Sequence, residues 1–167
     1  DESLPALFAG KEEGVEKLME ALLISGYAMV IAGSSRPASG AEHHMSHFLE
    51  MDFLRRGERI PLHGIKVGLG TAVSLYLYHT LGSRADFKGK DVVLKEAEGL
   101  PSFEFVLDTL GKLGCPTRFS ELGVSRETVR TMFFEAYKIR DRFTILALYN
   151  EEGLMKDTAE ELLEKFY

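Results

Sequence analysis

Tryptophan is absent, cysteine occurs once, and no apolar run approaches the roughly 18 to 20 residues that a bilayer-spanning helix requires. The lone Cys115 cannot close a disulfide within the chain. It stands between Gly114 and Pro116, away from the histidines, so a reducing cytoplasm is the expected setting. The amino-terminal residues place no basic region ahead of an apolar one, and no export signal is expected. Basic residues are in deficit, 20 against 26 acidic, for a net charge of -6 and a pI near 5.4. That balance argues against non-specific binding to nucleic acid, where affinity rests on clustered Lys and Arg, but leaves room for a small phosphorylated ligand met by one arginine. A glycine-rich dinucleotide fingerprint is also missing, because Gly68-Leu69-Gly70 follows no strand and lacks the third glycine.

What is present is helical periodicity. With 167 residues and 45% hydrophobic content the chain can build one proper core, or part of a larger one. Val15, Leu18, Met19, Leu22 and Leu23 share a helical face, and Ser25-Gly26 marks the expected stop of that helix. The short apolar run Tyr27 to Ala32 fits a buried strand or a buried helical segment, and is taken as helix for want of strand partners. A helix is expected from Glu42 to about Leu54, ending in Arg55-Arg56-Gly57. Another is expected from His63 to Leu81, where Gly64, Gly68 and Ala72 recur every four residues and predict the close approach of a second helix. Further helical stretches follow. Asp91 to Glu98 is a weak helix or a turn, Pro101 opens a helix containing Phe103, Phe105, Val106, Leu110 and Leu113, Ser125 caps Arg126 to Arg140, and Asp157 to Phe166 closes the chain. The fold class read from this is all-α, with residues 1–167 as a single helical domain.

Four of the five histidines fall between His43 and His63. Gly33 to Gly40 is a turn-rich loop of small and hydroxyl residues that delivers the chain into the helix from Glu42. On that helix His43 and His47 stand at i and i+4, on one face, and such a pair can chelate a metal directly or make ordinary hydrogen bonds. His44 points about 100° away and is expected to pack with Phe48 and Met51. His63 opens the next helix, so two helix starts and three imidazoles are expected around one point, with backbone N–H groups available to an anion. Arg36 and the Ser34-Ser35 pair suit a phosphate, through a guanidinium fork and loop donors, or are solvated loop residues. His79, Tyr76 and Tyr78 are read as structural.

The string Ser34-Ser35-Arg36-Pro37-Ala38-Ser39-Gly40-x-Glu42-His43-x-x-Ser46-His47, followed by Leu62-His63-Gly64-x-Lys66-Val67-Gly68, resembles the glycerol-1-phosphate dehydrogenase family, nearest its bacterial branch. Those enzymes are relatives of glycerol dehydrogenase and the iron-containing alcohol dehydrogenases, with the dehydroquinate synthase-like fold. The likeness runs through nearly the whole chain and is sharp from about Ser25 to Tyr78. It implies the carboxy-terminal, all-helical, metal-binding part of a two-domain enzyme whose amino-terminal partner is an α/β nucleotide-binding domain. It further implies a divalent metal (zinc, nickel or iron) held by one aspartate and two histidines. The matching histidines are His43 and His63, His47 matches a substrate-contacting, catalytic residue, and the aspartate has no counterpart here. NAD(P)H, a small phosphorylated substrate and a homo-oligomer complete what the resemblance implies, with dihydroxyacetone phosphate reduced to sn-glycerol 1-phosphate.

Other readings remain open on the sequence. A glycerol or polyol dehydrogenase domain would share the pattern, and so would a helical interaction domain without activity. Phe119 to Arg130, with a glycine turn before Ser125-Arg126, also has the outline of a helix-turn-helix. Against DNA binding stand the acidic balance and the apolar continuation Met132, Phe133, Phe134, Ala136.

Overall fold

The computed structural model describes residues 3–84, 86 and 89–167, and these contain helices and no strand. The chain divides into two compact units, Asp1–Gly40 and Ala41–Tyr167.

The first unit holds α1 (Ser3–Phe8), α2 (Glu12–Ala32) and a 3-10 turn, Arg36–Ala38. Glu12 and Glu13 sit in the first turn of α2, where the helix dipole favours negative charge. At the other end Gly33 takes φ 60°, donating to the Val30 carbonyl while Ser34 N–H donates to Met29 O, a left-handed cap that only glycine adopts without strain. The stop expected at Ser25-Gly26 is therefore overturned, and α2 runs on through Tyr27 to Ala32. A single glycine at helical φ costs about 1 kcal/mol, too little to end a helix whose neighbours all favour it. At Gly14 a Cβ would lie 2.3 Å from the Leu7 nitrogen, so α1 rests directly on the backbone of α2.

The second unit begins with α3 (Ala41–Arg56) and α4 (His63–Thr80), close to the expected bounds. Gly57 at φ 67° ends α3 behind Arg55 and Arg56, and Pro61 precedes α4. α5 (Lys90–Ala97), α6 (Phe103–Lys112), α7 (Arg126–Glu135), α8 (Ile145–Glu151) and α9 (Met155–Phe166) complete it, with 3-10 turns between. Ser102 caps α6, which places Pro101 before the cap rather than in the first turn. Ser125 Oγ accepts from Thr128 N–H as the cap of α7, as expected, while the expected helix to Arg140 ends at Glu135 and gives way to a 3-10 turn, Ala136–Ile139. Met45, Leu49 and Phe53 of α3 meet Leu69, Val73 and Leu77 of α4 in one core with Phe133, Leu162 and Phe166, each contributing about 1.5–3 kcal/mol by burial. Tyr149 is fully buried and its hydroxyl donates to Leu77 O at 2.8 Å.

α3 and α4 lie antiparallel. Gly70 sits against the start of α3, where a Cβ would come within 2.9 Å of Glu42 Cα and O. Eight residues on along α3 and seven back along α4, roughly 12 and 10 Å of helix, Glu50 meets His63. The expected close approach is thus real but centred on Gly70. A Cβ on Gly68 would lie 3.0 Å from the Leu110 side chain, and one on Gly64 would meet no other part of the chain within 4 Å.

Candidate functional site

The α3–α4 pair gathers His43, His47 and His63. His63 is the first residue of α4, and its ring centre lies 5.3 Å from that of His43 and 5.9 Å from that of His47. Each of the three rings turns Nδ1 toward a carboxylate. His43 Nδ1 is 2.8 Å from Glu42 Oε1, His47 Nδ1 is 3.1 Å from Glu50 Oε2, and His63 Nδ1 is 3.2 Å from Glu50 Oε1 and 3.3 Å from Ser46 Oγ. The rings are half-buried to exposed, with side chains 24%, 32% and 49% accessible in that order.

Glu50 is the hub. Besides two imidazoles it meets Lys66 Nζ at 3.1 Å, and Lys66 is 1% exposed with its ammonium also donating to Pro61 O at 2.7 Å. Burial pushes the Glu50 carboxyl upward, but hydrogen bonds from Lys66, His63 and His47 outweigh it and hold the pKa down at about 2. The carboxylate is therefore ionised across the ordinary pH range.

His44 is fully enclosed, Met51 is 44% exposed, and neither ring nitrogen of His44 has a hydrogen-bond partner. Burial, aided by the positive charges of Arg142 and Arg140, pushes its pKa down and keeps the ring neutral. Arg36 and Ser35 belong to the first unit. Arg36 is exposed at the head of the 3-10 turn, with its N–H 3.4 Å from Ser34 Oγ. His79 Nε2 lies 3.0 Å from Pro101 O. Arg126 and Arg130 both pair with Glu160 of α9, while Val129, Met132 and Phe133 are buried, so the arginines that a DNA reading would use are already engaged.

The donor set fits two positions of a metal site. Two imidazoles donating through Nε2 to one tetrahedral ion hold their ring centres about 5 Å apart, which matches His43 and His63. A neutral ring that donates Nδ1–H to such a carboxylate would keep Nε2 as its lone-pair nitrogen. A third ligand is not supplied, since among the described residues no group of three His, Cys, Asp or Glu is arranged to hold a metal ion. Glu42 and Glu50 are turned to the Nδ1 side instead. Among the described residues no strand leads into a glycine loop of the dinucleotide-binding kind.

Sequence reasoning missed Glu50 and Lys66. Both were visible as charges on the histidine faces, Glu50 three residues after His47 and Lys66 three after His63.

No family model matches the chain. Curated relatives do, each bearing the name glycerol-1-phosphate dehydrogenase, NAD(P)+. The protein from Bacillus licheniformis is 39% identical over 149 residues, 88% of this chain and 37% of the relative. That from Staphylothermus marinus is 39% identical over 94% of this chain and 37% of its own length. In Pyrococcus abyssi the figures are 39%, 91% and 36%. The chain thus spans somewhat over a third of the length of these relatives. No helix among the described residues is long and apolar enough to cross a membrane.

Proposed function

The chain belongs with the glycerol-1-phosphate dehydrogenases, matching a little over a third of their length, and we propose that it supplies the metal- and substrate-binding helical part of such an enzyme. The reaction is the NAD(P)-linked interconversion of dihydroxyacetone phosphate and sn-glycerol 1-phosphate in the cytoplasm. A separate nucleotide-binding domain carries the dinucleotide, and the enzyme is a homo-oligomer. The observation that carries this reading is the trio His43, His47 and His63, each with Nδ1 on a carboxylate and Nε2 left over.

Nε2 of His43 and His63 would hold a divalent cation of the zinc, nickel or iron type, together with a carboxylate from outside the described residues. Its chemistry, when bound, is Lewis-acid polarisation of a carbonyl oxygen. The protein's own part is positioning. Glu42 and Glu50 orient the two ligand rings, and the rings take the place of water around the ion. His47, on the same face, presents Nε2 as the group that hydrogen-bonds a substrate hydroxyl or carries its proton. For the phosphate we propose Arg36 and Ser35 on their chemistry alone, a guanidinium fork beside a hydroxyl.

Calorimetric titration of the chain with zinc or nickel tests the ligand assignment. Binding is expected to be weak, since one ligand is missing. It should disappear in His43→Ala and in His63→Ala and persist in His79→Ala. Occupancy that survives His63→Ala would show the assignment to be wrong.

A further inference from the structure

Two imidazoles and one ammonium converge on a single carboxylate at Glu50. We propose that Glu50, anchored by the buried ammonium of Lys66, is the positioning residue of this site, fixing both His47 and His63 in the Nδ1–H tautomer so that both present an Nε2 lone pair. The inference rests on the reading of these histidines as metal- and substrate-facing, and it names what holds them so.

An ionised carboxylate only accepts hydrogen bonds. Oε2 lies 3.1 Å from His47 Nδ1 and Oε1 lies 3.2 Å from His63 Nδ1, so a neutral ring bonded to either oxygen carries its proton on Nδ1. The remaining nitrogen of each ring is then a lone pair, as a metal or a substrate hydroxyl requires. Ser46 Oγ, 3.3 Å from His63 Nδ1, can share that proton and does not oppose it.

Lys66 sets which oxygen does what. Its ammonium has three donors and no acceptor, is 1% exposed, and is held between Glu50 Oε1 and Pro61 O. A buried ion pair is a weak source of stability, because desolvation offsets the Coulombic gain. Here it pins a carboxylate on α3 to the loop that leads into α4, one turn or less from His63. Oε1 is shared by Lys66 and His63, and Oε2 serves His47 alone.

That asymmetry makes Glu50→Gln informative. The glutamine offers one oxygen and one NH2. Lys66 can only donate, so the oxygen must stay on its side, where it still accepts from His63. The NH2 then faces His47 Nδ1, which must become the lone pair, and the His47 proton moves to Nε2. One substitution should therefore split the two rings.

The test uses the 167-residue chain with 15N-labelled histidine, free of metal, at about pH 9, well above the ordinary imidazole pKa of ~6.5. Long-range 1H–15N correlation distinguishes protonated from lone-pair nitrogens in each ring. In the unsubstituted chain both His47 and His63 should show Nδ1–H; in Glu50→Gln, His47 should show Nε2–H and His63 should not change. Nε2–H at either ring of the unsubstituted chain overturns the proposal without any variant, and so does a Glu50→Gln spectrum in which His47 keeps Nδ1–H or His63 loses it. Zinc titration of the same sample separates this claim from the one it rests on. Expected tautomers without zinc binding would sink the metal reading and leave the positioning role standing, whereas zinc binding with other tautomers would sink the positioning role alone.

Discussion

Replacing Gly70 by alanine probes the contact that brings the histidines together. The new methyl would sit 2.9 Å from both Cα and O of Glu42 and 3.2 Å from its Cβ, where carbon contacts ordinarily lie at about 3.5–4.0 Å. The obstacle is backbone, so no side chain can swing aside, and α3 and α4 must part by several tenths of an ångström. Overpacking of this kind costs about 1–3 kcal/mol. Alanine also gains helix propensity over glycine, up to about 1 kcal/mol, which would blur a single measurement. Gly64→Ala on the same helix is the control, since nothing lies within 4 Å of its Cβ position. The propensity gain largely cancels in the difference, leaving Gly70→Ala about 1–3 kcal/mol less stable than Gly64→Ala. Urea unfolding with a slope of about 1–3 kcal/mol/M turns that into a midpoint lower by on the order of 1 M, with the slope unchanged. A Gly70→Ala midpoint equal to or above that of Gly64→Ala would refute the close-approach account.

Removing the Ser125 hydroxyl with Ser125→Ala should cost about 0.5–2 kcal/mol in the same assay, because the Thr128 N–H then loses its cap acceptor. Acid stability should depend on Glu161. Burial pushes its carboxyl upward, but the Tyr76 hydroxyl and Arg84 both donate to it and outweigh burial, so its pKa in the folded protein is lowered. The ionised form is the one the fold favours. Its contribution is therefore present above the ordinary value of about 4.3 and is lost as pH falls through the lowered one. Glu161→Gln should flatten the stability curve below about pH 4, and an unchanged acid limb would contradict the pairing.

Local signals in the sequence were read well where one residue decides the outcome. Gly57 ends α3 at positive φ, Ser125 caps α7, and the i, i+4 spacing of His43 and His47 survives in α3. Ser25-Gly26 misled because a stop signal is only a propensity, and the flanking residues sustain α2 to the Gly33 cap. The small-residue stripe of α4 gave the right helix but the wrong centre, since which small residue meets a neighbour depends on the rotation of α4 about its axis. The charges of Lys66 and Glu50 were visible beside the histidines, but their pairing was not. They lie on separate helices, and a lysine drawn 99% out of solvent by a partner on another element leaves no periodic trace in sequence.

The central claim is chelator-sensitive turnover of a phosphorylated ketose. It is tested most directly by following NADH and NADPH oxidation with dihydroxyacetone phosphate by the full-length polypeptide that carries residues 1–167, with and without a chelator. The account predicts oxidation that stops on chelation and returns with added zinc, nickel or iron. A folded polypeptide that oxidises neither dinucleotide with any of these metals would contradict it, as would oxidation that a chelator leaves untouched.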